Sequence, residues 1–206
     1  MASPPTSPTL IDDVFQRRVA PLKDLSEQAG DVARTCHAMA ARFYRGGKLV
    51  VFGNGESSTD AQHIAVEFVH PVIVGKRALP AISLTSDVAA ITGVANADGL
   101  SEVFAHQLAY LGEAGDIALG LSVDGNCANV LRGLRFARGK GMLTVAMAGG
   151  RGGAIAASGE TDHLLRAGSS DPRVVKEVHV TTYHVLWELV HVFFGQPGVL
   201  APGVVR

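Results

Sequence analysis

The sequence predicts an α/β fold in which a parallel sheet carries helices on both faces. Short apolar runs alternate with longer segments whose apolar residues recur at helical spacing. Glycine is abundant, at 24 residues, which favours tight turns between the elements. The chain has 206 residues, 47% of them hydrophobic, which is enough to bury the core of one domain. In such a sheet, ligands are expected beyond the carboxyl ends of the strands.

The first 45 residues precede the sheet. The first nine, MASPPTSPT, are rich in Pro, Ser and Thr and are predicted to form a flexible arm. Residues 10–45 have apolar residues at helical spacing, which predicts a helical extension with a break near Pro21. No linker and no internal repeat follows, so residues 10–206 are predicted to form a single domain that includes this extension.

The elements of the sheet follow in alternation. The run GKLVVFGNG (47–55) is apolar and ends in glycines, which is typical of a buried strand and its turn, and a helix is predicted after it. Further strands are predicted at 80–84, 115–123, 142–150 and 162–167, and helices at 86–96, 100–112, 126–141 and 171–195. The last helix is apolar on several faces, so it is predicted to be buried on more than one side, as a core helix or, preferentially, against another subunit.

The charge balance excludes some partners. Lys and Arg number 18 and Asp and Glu 19, so the formal net charge is −1, and no basic stripe predicts direct binding of nucleic acid. The longest apolar runs are too short for a bilayer, and the N-terminus lacks the pattern of a secretory signal, so no membrane partner is expected. Cys36 and Cys127 cannot form a disulfide framework, and a cytoplasmic location is expected.

Two strand-to-helix turns are candidate ligand sites. FGNGESS (52–58) and LSVDGNCAN (121–129) both place small residues and free backbone N–H groups where a helix begins, which favours an anion. Either turn alone also fits a purely conformational role. On the helix after the first turn, His63 and Glu67 share a face. Three interpretations fit this spacing: a metal-binding pair, a base with its orienting partner, or an ordinary surface pair.

These segments resemble the SIS (sugar isomerase) domain family, and within it the phosphoheptose isomerases. The matching stretches are GNGESSTDAQHIAVEF, ITGVANADGLSEVF, GDIALGLSVDGNCANVL, GMLTVAM and KEVHVTTYHVLWELV. The resemblance implies a flavodoxin-like three-layer αβα sandwich with a five-stranded parallel sheet, assembled as a homotetramer with active sites between chains. It also implies aldose–ketose isomerisation of sedoheptulose 7-phosphate and, in many members, a bound zinc ion.

The resemblance carries the acid–base residues to this chain. Metal ligands in the family match His63, Glu67 and His184, while the position of a fourth ligand, a Gln, is filled by Lys176. Two interpretations stay open: a metal with three protein ligands, or an ammonium that takes over the charge of the metal. Glu67 is then expected to be the base and His184 the acid–base group, with Lys176 or a metal polarising the substrate oxygen.

The expected substrate pocket departs from the family. The resemblance implies substrate contacts at Asn54, Gly55, Glu56, Ser57, Asn96, Ser122, Asp124, Asn126, Cys127 and Lys176. Glu56 replaces a glycine, and Asp124 stands where the family has a hydroxyl. Each unit charge repels a phosphate by about 4 kcal/mol at about 4 Å and an effective dielectric of about 20. A helix N-terminus contributes under about 2 kcal/mol, so weak phosphate binding is expected unless these carboxylates point outward or bind a cation.

Three functions therefore remain open from the sequence. The first is a phosphosugar isomerase with a divergent phosphate pocket. The second is a non-catalytic SIS protein, similar to a branch of the family that binds the replication initiator DnaA, although the retained acid–base residues disfavour it. The third is an enzyme or sensor for a non-phosphorylated or cationic ligand, which Glu56 and Asp124 would contact directly.

Overall fold

A computed structural model of the protein describes residues 8–196 and 198–200. The five strands are β1 Leu49–Gly53, β2 Ala81–Ser83, β3 Ile117–Ser122, β4 Leu143–Gly149 and β5 His163–Ala167. They form one sheet in the order β2-β1-β3-β4-β5, and every neighbouring pair is parallel. The predicted α/β fold with a five-stranded parallel sheet is confirmed, and the strand order is that of a flavodoxin-like fold.

Eight helices and one 3₁₀ turn are found in the described part of the chain. They are α1 Pro8–Glu27, α2 Ala29–Tyr44, α3 Glu56–Val69, α4 Val88–Ala97, the 3₁₀ turn Leu100–Glu102, α5 Val103–Leu111, α6 Ala128–Gly139, α7 Gly153–Ser158 and α8 Pro172–Phe194. Helices α1, α2, α3 and α8 share one core with one face of the sheet, and α4, α5, α6 and α7 share a second core with the other face. No helix among the described residues combines the length and the apolar character needed to cross a bilayer.

The strands are apolar on both faces because both faces are covered by helices. In β1, Leu49 and Val51 belong to the core with α2, α3 and α8, whereas Val50 and Phe52 belong to the opposite core. All four side chains are fully buried. The continuous apolar runs that predicted the strands are thus a direct consequence of the three-layer arrangement.

Two predictions about the helices are wrong. Helix α1 continues through Pro21 and ends at Glu27, so the break lies at Gln28 and not near the proline. The Pro21 ring is buried on the same face as Leu25, and its burial offsets the missing backbone hydrogen bond. Helix α7, six residues long, follows Gly152 and was not predicted.

The predicted N-terminal arm mostly lies outside the described residues. Helix α1 already includes residues 8 and 9, which the sequence pattern assigned to the arm, and residues 1–7 are not described. The division into an arm and a single domain remains a prediction. Helix α8 packs against α1, α2 and α3, which confirms that it is buried on more than one side.

Strand order places the two candidate turns side by side. Strands β1 and β3 are neighbours, so the turn between β1 and α3 and the turn between β3 and α6 leave the same edge of the sheet. Chain connections diverge on either side of this point, where ligands of such sheets bind. The side chain of Asn54 in the first turn is hydrogen-bonded to that of Asn129, which lies in the first turn of α6.

Candidate functional site

The candidate site has two parts. The first is the seam between α3 and α8, which we define by seven residues: Asp60, His63 and Glu67 on α3, and Lys176, Tyr183, His184 and Trp187 on α8. The second is the β3–α6 turn, which comprises residues 123–127 between the two elements. Of these residues, the sequence predicted His63, Glu67, Lys176 and His184.

Three polar side chains converge in the seam. Glu67 Oε1 lies 3.2 Å from His63 Nε2 and 3.1 Å from His184 Nε2. One ligand atom from each residue lies within 4.8 Å of the others. Adjacent ligands of a zinc ion with bonds of about 2.0 Å are about 3.3 Å apart, so this spacing fits a divalent metal. The buried Glu67 Oε2 has no hydrogen-bond partner, which leaves a second oxygen for a metal or a proton.

The same cluster suits proton transfer. Both imidazole nitrogens lie within ion-pair distance of Glu67 Oε1, so the carboxylate is common to the two contacts. Its side chain is 14% exposed, whereas the imidazoles of His63 and His184 are 51% and 48% exposed. A carboxylate at the base of an open cluster, with histidines toward solvent, can receive a proton from a ligand that enters from that side.

Trp187 fixes the backbone of Glu67. Its indole Nε1 donates to the carbonyl oxygen of Glu67 at 3.0 Å. This carbonyl lies in the last turn of α3, and the residue four positions on is Pro71, which has no N–H to donate. The hydrogen bond from α8 replaces the missing helical one and holds Glu67 against His184. The sequence analysis did not identify this residue, although the proline at position 71 was a usable signal.

Lys176 is committed to an ion pair. Its Nζ lies 2.6 Å from Asp60 Oδ1 and 3.1 Å from the carbonyl oxygen of Glu56. Asp60 is 4% exposed, and its second oxygen has no hydrogen-bond partner. The ammonium is therefore balanced by a buried carboxylate. Asp60 was not predicted as a site residue, because pairing between two helices is not visible in either helix alone.

Tyr183 lies inside the seam beside the histidines. Its ring centroid is 5.6 Å from that of His63 and 4.7 Å from that of His184, and the residue is 3% exposed. Burial, followed by the charges of Asp60 and Glu67, raises the pKa of the Tyr183 phenol. The phenol therefore stays protonated and can act only as a neutral donor or acceptor at neutral pH.

The β3–α6 turn is closed by its own carboxylate. Asp124 Oδ1 accepts from the backbone N–H of Asn126 at 2.9 Å and from Ser122 Oγ at 3.3 Å, and Oδ2 accepts from Asn126 Nδ2 at 3.2 Å. The hydrogen bond from the Asn126 backbone is the largest cause that lowers the pKa of Asp124, so this exposed carboxyl is ionised at neutral pH. It occupies the backbone N–H of Asn126, which lies in one of the two turns where the sequence predicted an anion site.

Close packing holds this turn in place. Asn126 Oδ1 accepts from the backbone N–H of Ala154 in the first turn of α7 at 3.0 Å. Gly125 has φ +74°, and a Cβ there would lie 2.1 Å from the carbonyl oxygen of Gly152. The turn thus requires glycine at position 125, and it rests on a helix that the sequence did not predict.

The remaining predicted contacts lie at the starts of α3 and α6 and at the end of α4. Asn54 and Asn129 exchange two amide hydrogen bonds, at 2.7 and 2.9 Å, and Asn129 was not predicted. Gly55 has φ +54° and is the N-cap of α3. The other positions are these: Glu56 is exposed at the start of α3, Ser57 is buried, Cys127 is the half-buried N-cap of α6, and Asn96 is exposed on the last turn of α4.

Comparison with known proteins agrees with this architecture. A sequence profile described as the SIS domain matches residues 15–149. The phosphoheptose isomerase of Desulfovibrio desulfuricans is 43% identical over 180 residues, which cover 86% of this chain and 84% of the relative. That of Chlorobaculum tepidum is 41% identical over 177 residues, which cover 84% of each chain.

Solved structures give the same result. A phosphoheptose isomerase from Francisella tularensis superposes with a TM-score of 0.84 at 32% identity, covering 91% of this chain and 99% of that one. The phosphoheptose isomerase from Neisseria gonorrhoeae superposes with a TM-score of 0.81 at 29% identity, covering 88% and 97%. The matched profile, these identities and the shared sheet show that the chain belongs to the SIS domain family, with phosphoheptose isomerases among its relatives.

Proposed function

We propose that the protein is a phosphoheptose isomerase that interconverts sedoheptulose 7-phosphate and an aldoheptose 7-phosphate. The observation that carries the proposal is the contact between Glu67 Oε1 and His184 Nε2 at 3.1 Å, in a chain whose relatives are phosphoheptose isomerases. The relatives are enzymes and the acid–base residues converge, so the non-catalytic alternative receives no support from either observation.

The reaction moves a hydrogen between C1 and C2 through an enediol, and the seam holds a group for each proton. Glu67 removes the proton from the carbon next to the carbonyl group and then returns a proton to the former carbonyl carbon. Its unpartnered Oε2 is the stronger acceptor because no donor stabilises it. His184 gives a proton to the carbonyl oxygen and takes one back from the neighbouring hydroxyl. Tyr183 and Trp187 hold Glu67 and His184 in position and limit the access of water on the buried side of the seam.

A zinc ion is part of the proposal. His63, Glu67 and His184 would hold it, and when bound it would polarise the carbonyl oxygen of the substrate in place of the proton that His184 gives without a metal. Support comes from the donor set, two imidazoles and a carboxylate, and from the unpartnered Glu67 Oε2. The pairing of Lys176 with Asp60 supports the interpretation with three protein ligands, because the ammonium is already neutralised where it lies.

The phosphate of the substrate is proposed to bind at the edge formed by the two turns, at a reduced affinity. Asp124 is ionised and occupies donors of the β3–α6 turn. The same observation favours the second candidate function, an enzyme or sensor for a ligand without phosphate, since a neutral or cationic group would not compete with Asp124. Glu56 is exposed, so its charge is better screened and is expected to matter less.

A homotetramer in the cytoplasm completes the proposal. Apolar side chains are exposed along α1, on the last turns of α3 and just after it: Ile11, Phe15, Leu22, Val66, Val69, Val72, Ile73 and Val74. Such surfaces favour association with further copies of the chain. Cys36 and Cys127 are free, which fits a reducing compartment.

Turnover of defined sugars tests the proposal. Purified protein, with and without added zinc, is incubated with sedoheptulose 7-phosphate and, separately, with sedoheptulose, and aldose formation is followed by chromatography. We expect conversion of the phosphorylated ketose. Conversion of sedoheptulose alone would support the second candidate, and no conversion of either sugar, with or without zinc, would refute the isomerase proposal.

A further inference from the structure

Two lysine–aspartate ion pairs in the chain are nearly identical in geometry. Lys176 Nζ lies 2.6 Å from Asp60 Oδ1, and Lys48 Nζ lies 2.5 Å from Asp116 Oδ2. The lysine side chains are 28% and 27% exposed, and the aspartate side chains are 6% and 5% exposed. The two pairs differ in position. Lys48 and Asp116 directly precede β1 and β3, at the amino edge of the sheet, whereas Lys176 and Asp60 lie in the seam.

The two aspartates differ in how their charge is balanced. Asp116 also accepts from the backbone N–H groups of Lys48 and Glu113, at 2.9 and 2.8 Å. The second oxygen of Asp60 is buried without any hydrogen-bond partner, so the ammonium of Lys176 is its main compensation. A buried carboxylate that depends on one cation leaves a strong local field when that cation is removed.

The seam brings this pair close to the proposed metal ligands. Asp60 and Glu67 lie on the same face of α3, seven residues or about 10 Å apart along the helix. Tyr183 lies in the same seam, and the charges of both carboxylates contribute, after burial, to its raised pKa. At this separation an unpaired charge acts on a divalent cation, whereas a compensated pair acts only weakly.

We propose that the Lys176–Asp60 pair sets the affinity of the His63–Glu67–His184 centre for a divalent metal. The inference rests on the proposed metal binding. Neither member of the pair is a ligand, and both act through the field at the centre. Loss of the ammonium leaves a carboxylate that attracts the metal, and loss of the carboxylate leaves an ammonium that repels it. The two changes therefore shift affinity in opposite directions, which general damage to the fold does not do.

Zinc affinity of the full-length protein tests this inference. Metal-free protein is titrated with zinc at pH 8 in competition with a chromophoric chelator, and Co²⁺ absorption spectra report the ligand set. For Asp60→Asn we expect a Kd raised about tenfold, and for Lys176→Met a Kd lowered about threefold or more, from a unit charge near a dication. Lys176→Arg, which keeps the charge, and the double variant Asp60→Asn/Lys176→Met are expected to stay close to the wild-type Kd.

The second ion pair supplies the matched controls. Asp116→Asn and Lys48→Met disturb a pair of the same geometry at the opposite edge of the sheet, and neither is expected to change zinc affinity. If Asp60→Asn does not fold, Lys176→Met decides alone, because unchanged or weakened zinc binding by that variant overturns the inference. Equal Kd values for all variants, or shifts in one direction, overturn it and leave the isomerase proposal standing. A wild-type protein that binds no zinc overturns it together with the proposed metal site.

Discussion

The seam and the β3–α6 turn handle their carboxylates in opposite ways. In the seam, Glu67 and Asp60 each keep a buried oxygen without a hydrogen-bond partner. In the turn, both oxygens of Asp124 are used by donors of the turn itself. Unpartnered buried acceptors are costly, and they persist where a proton, a cation or a substrate group is expected to meet them. In the turn, by contrast, the donors of Asn126 are already bound by the carboxylate of Asp124.

This contrast indicates which half of the site keeps its chemistry. The seam has the geometry for proton transfer at the carbonyl end of a sugar, with Glu67 and His184 in contact. In the turn, an ionised carboxylate stands where an incoming phosphate would need the same N–H groups. We therefore expect changes in the seam to act mainly on kcat, and changes in the turn to act mainly on KM.

The largest effect is expected from Glu67→Gln. The amide cannot take a proton, so kcat should fall by about a thousandfold or more, in the upper range for removal of a general base. Steady-state kinetics with sedoheptulose 7-phosphate measures it. Glu188→Gln, the same change at an exposed position on α8, is the control and should leave kcat unchanged. Retained activity in Glu67→Gln would break the assignment of the seam.

The next largest effect is a loss of folding stability at acid pH, which is expected from a buried histidine on α8. His179 on α8 is 2% exposed, and burial lowers the pKa of its imidazole from 6.5 to about 4. The unfolded chain takes up this proton as the pH falls from 6.5 toward 4 and the folded chain does not, so stability is complete above pH 6.5 and is lost below it. At pH 5 the loss is about 2 kcal/mol in the free energy of unfolding.

Urea unfolding at pH 7.5 and pH 5, with a chelator present, measures this loss. His179→Gln should lose less stability than the wild type between the two pH values. His70→Gln, at an exposed histidine that follows α3, is the control and should behave as the wild type. An unchanged pH dependence in His179→Gln would show that another group causes the acid sensitivity.

The turn is tested by Asp124→Ser. Removing the carboxylate frees the backbone N–H of Asn126 and removes one negative charge, so KM for sedoheptulose 7-phosphate should fall by about tenfold with little change in kcat. The KM of Asp124→Asn, which loses the charge but can keep the hydrogen bond from the Asn126 backbone, should lie between those of the wild type and Asp124→Ser. Asp87→Ser, at an exposed aspartate that caps α4, is the control. A raised KM in Asp124→Ser would mean that the carboxylate contacts the substrate directly.

The smallest effect is expected from Trp187→Phe. The change removes the hydrogen bond to the carbonyl oxygen of Glu67, whose helical partner is missing at Pro71. We expect a loss of about 1 kcal/mol in unfolding free energy and a several-fold decrease in kcat at constant KM. Thermal unfolding and kinetics on the same preparation measure both. If stability falls while kcat does not, Trp187 holds the fold and does not position Glu67.

Most of the sheet was predictable because its signals are local. Buried parallel strands have continuous apolar sequences, several of which end at glycine. All five strands lie within one or two residues of their predicted bounds. Helix α7 was missed because six residues between glycines carry no helical period. The break at Pro21 was wrong because burial of the ring outweighs the local cost of proline, and burial is a property of the tertiary structure.

The candidate site was predictable only in part for a similar reason. His63 and Glu67 share a helical face, so their contact follows from spacing, and the resemblance to the SIS family supplied His184. The partners of Lys176 and Asn54, by contrast, come from distant segments. The direction in which Asp124 points depends on the conformation of a glycine turn against α7, which no periodicity encodes.

Hydrogen exchange at the reacting carbon tests the central claim most directly. Sedoheptulose 7-phosphate is incubated with the protein in D₂O, and proton NMR follows the signals of the carbons next to the carbonyl group. If Glu67 transfers the proton in the seam, solvent deuterium appears at carbon in the wild type and not in Glu67→Gln. Equal deuterium uptake by both proteins would contradict this account.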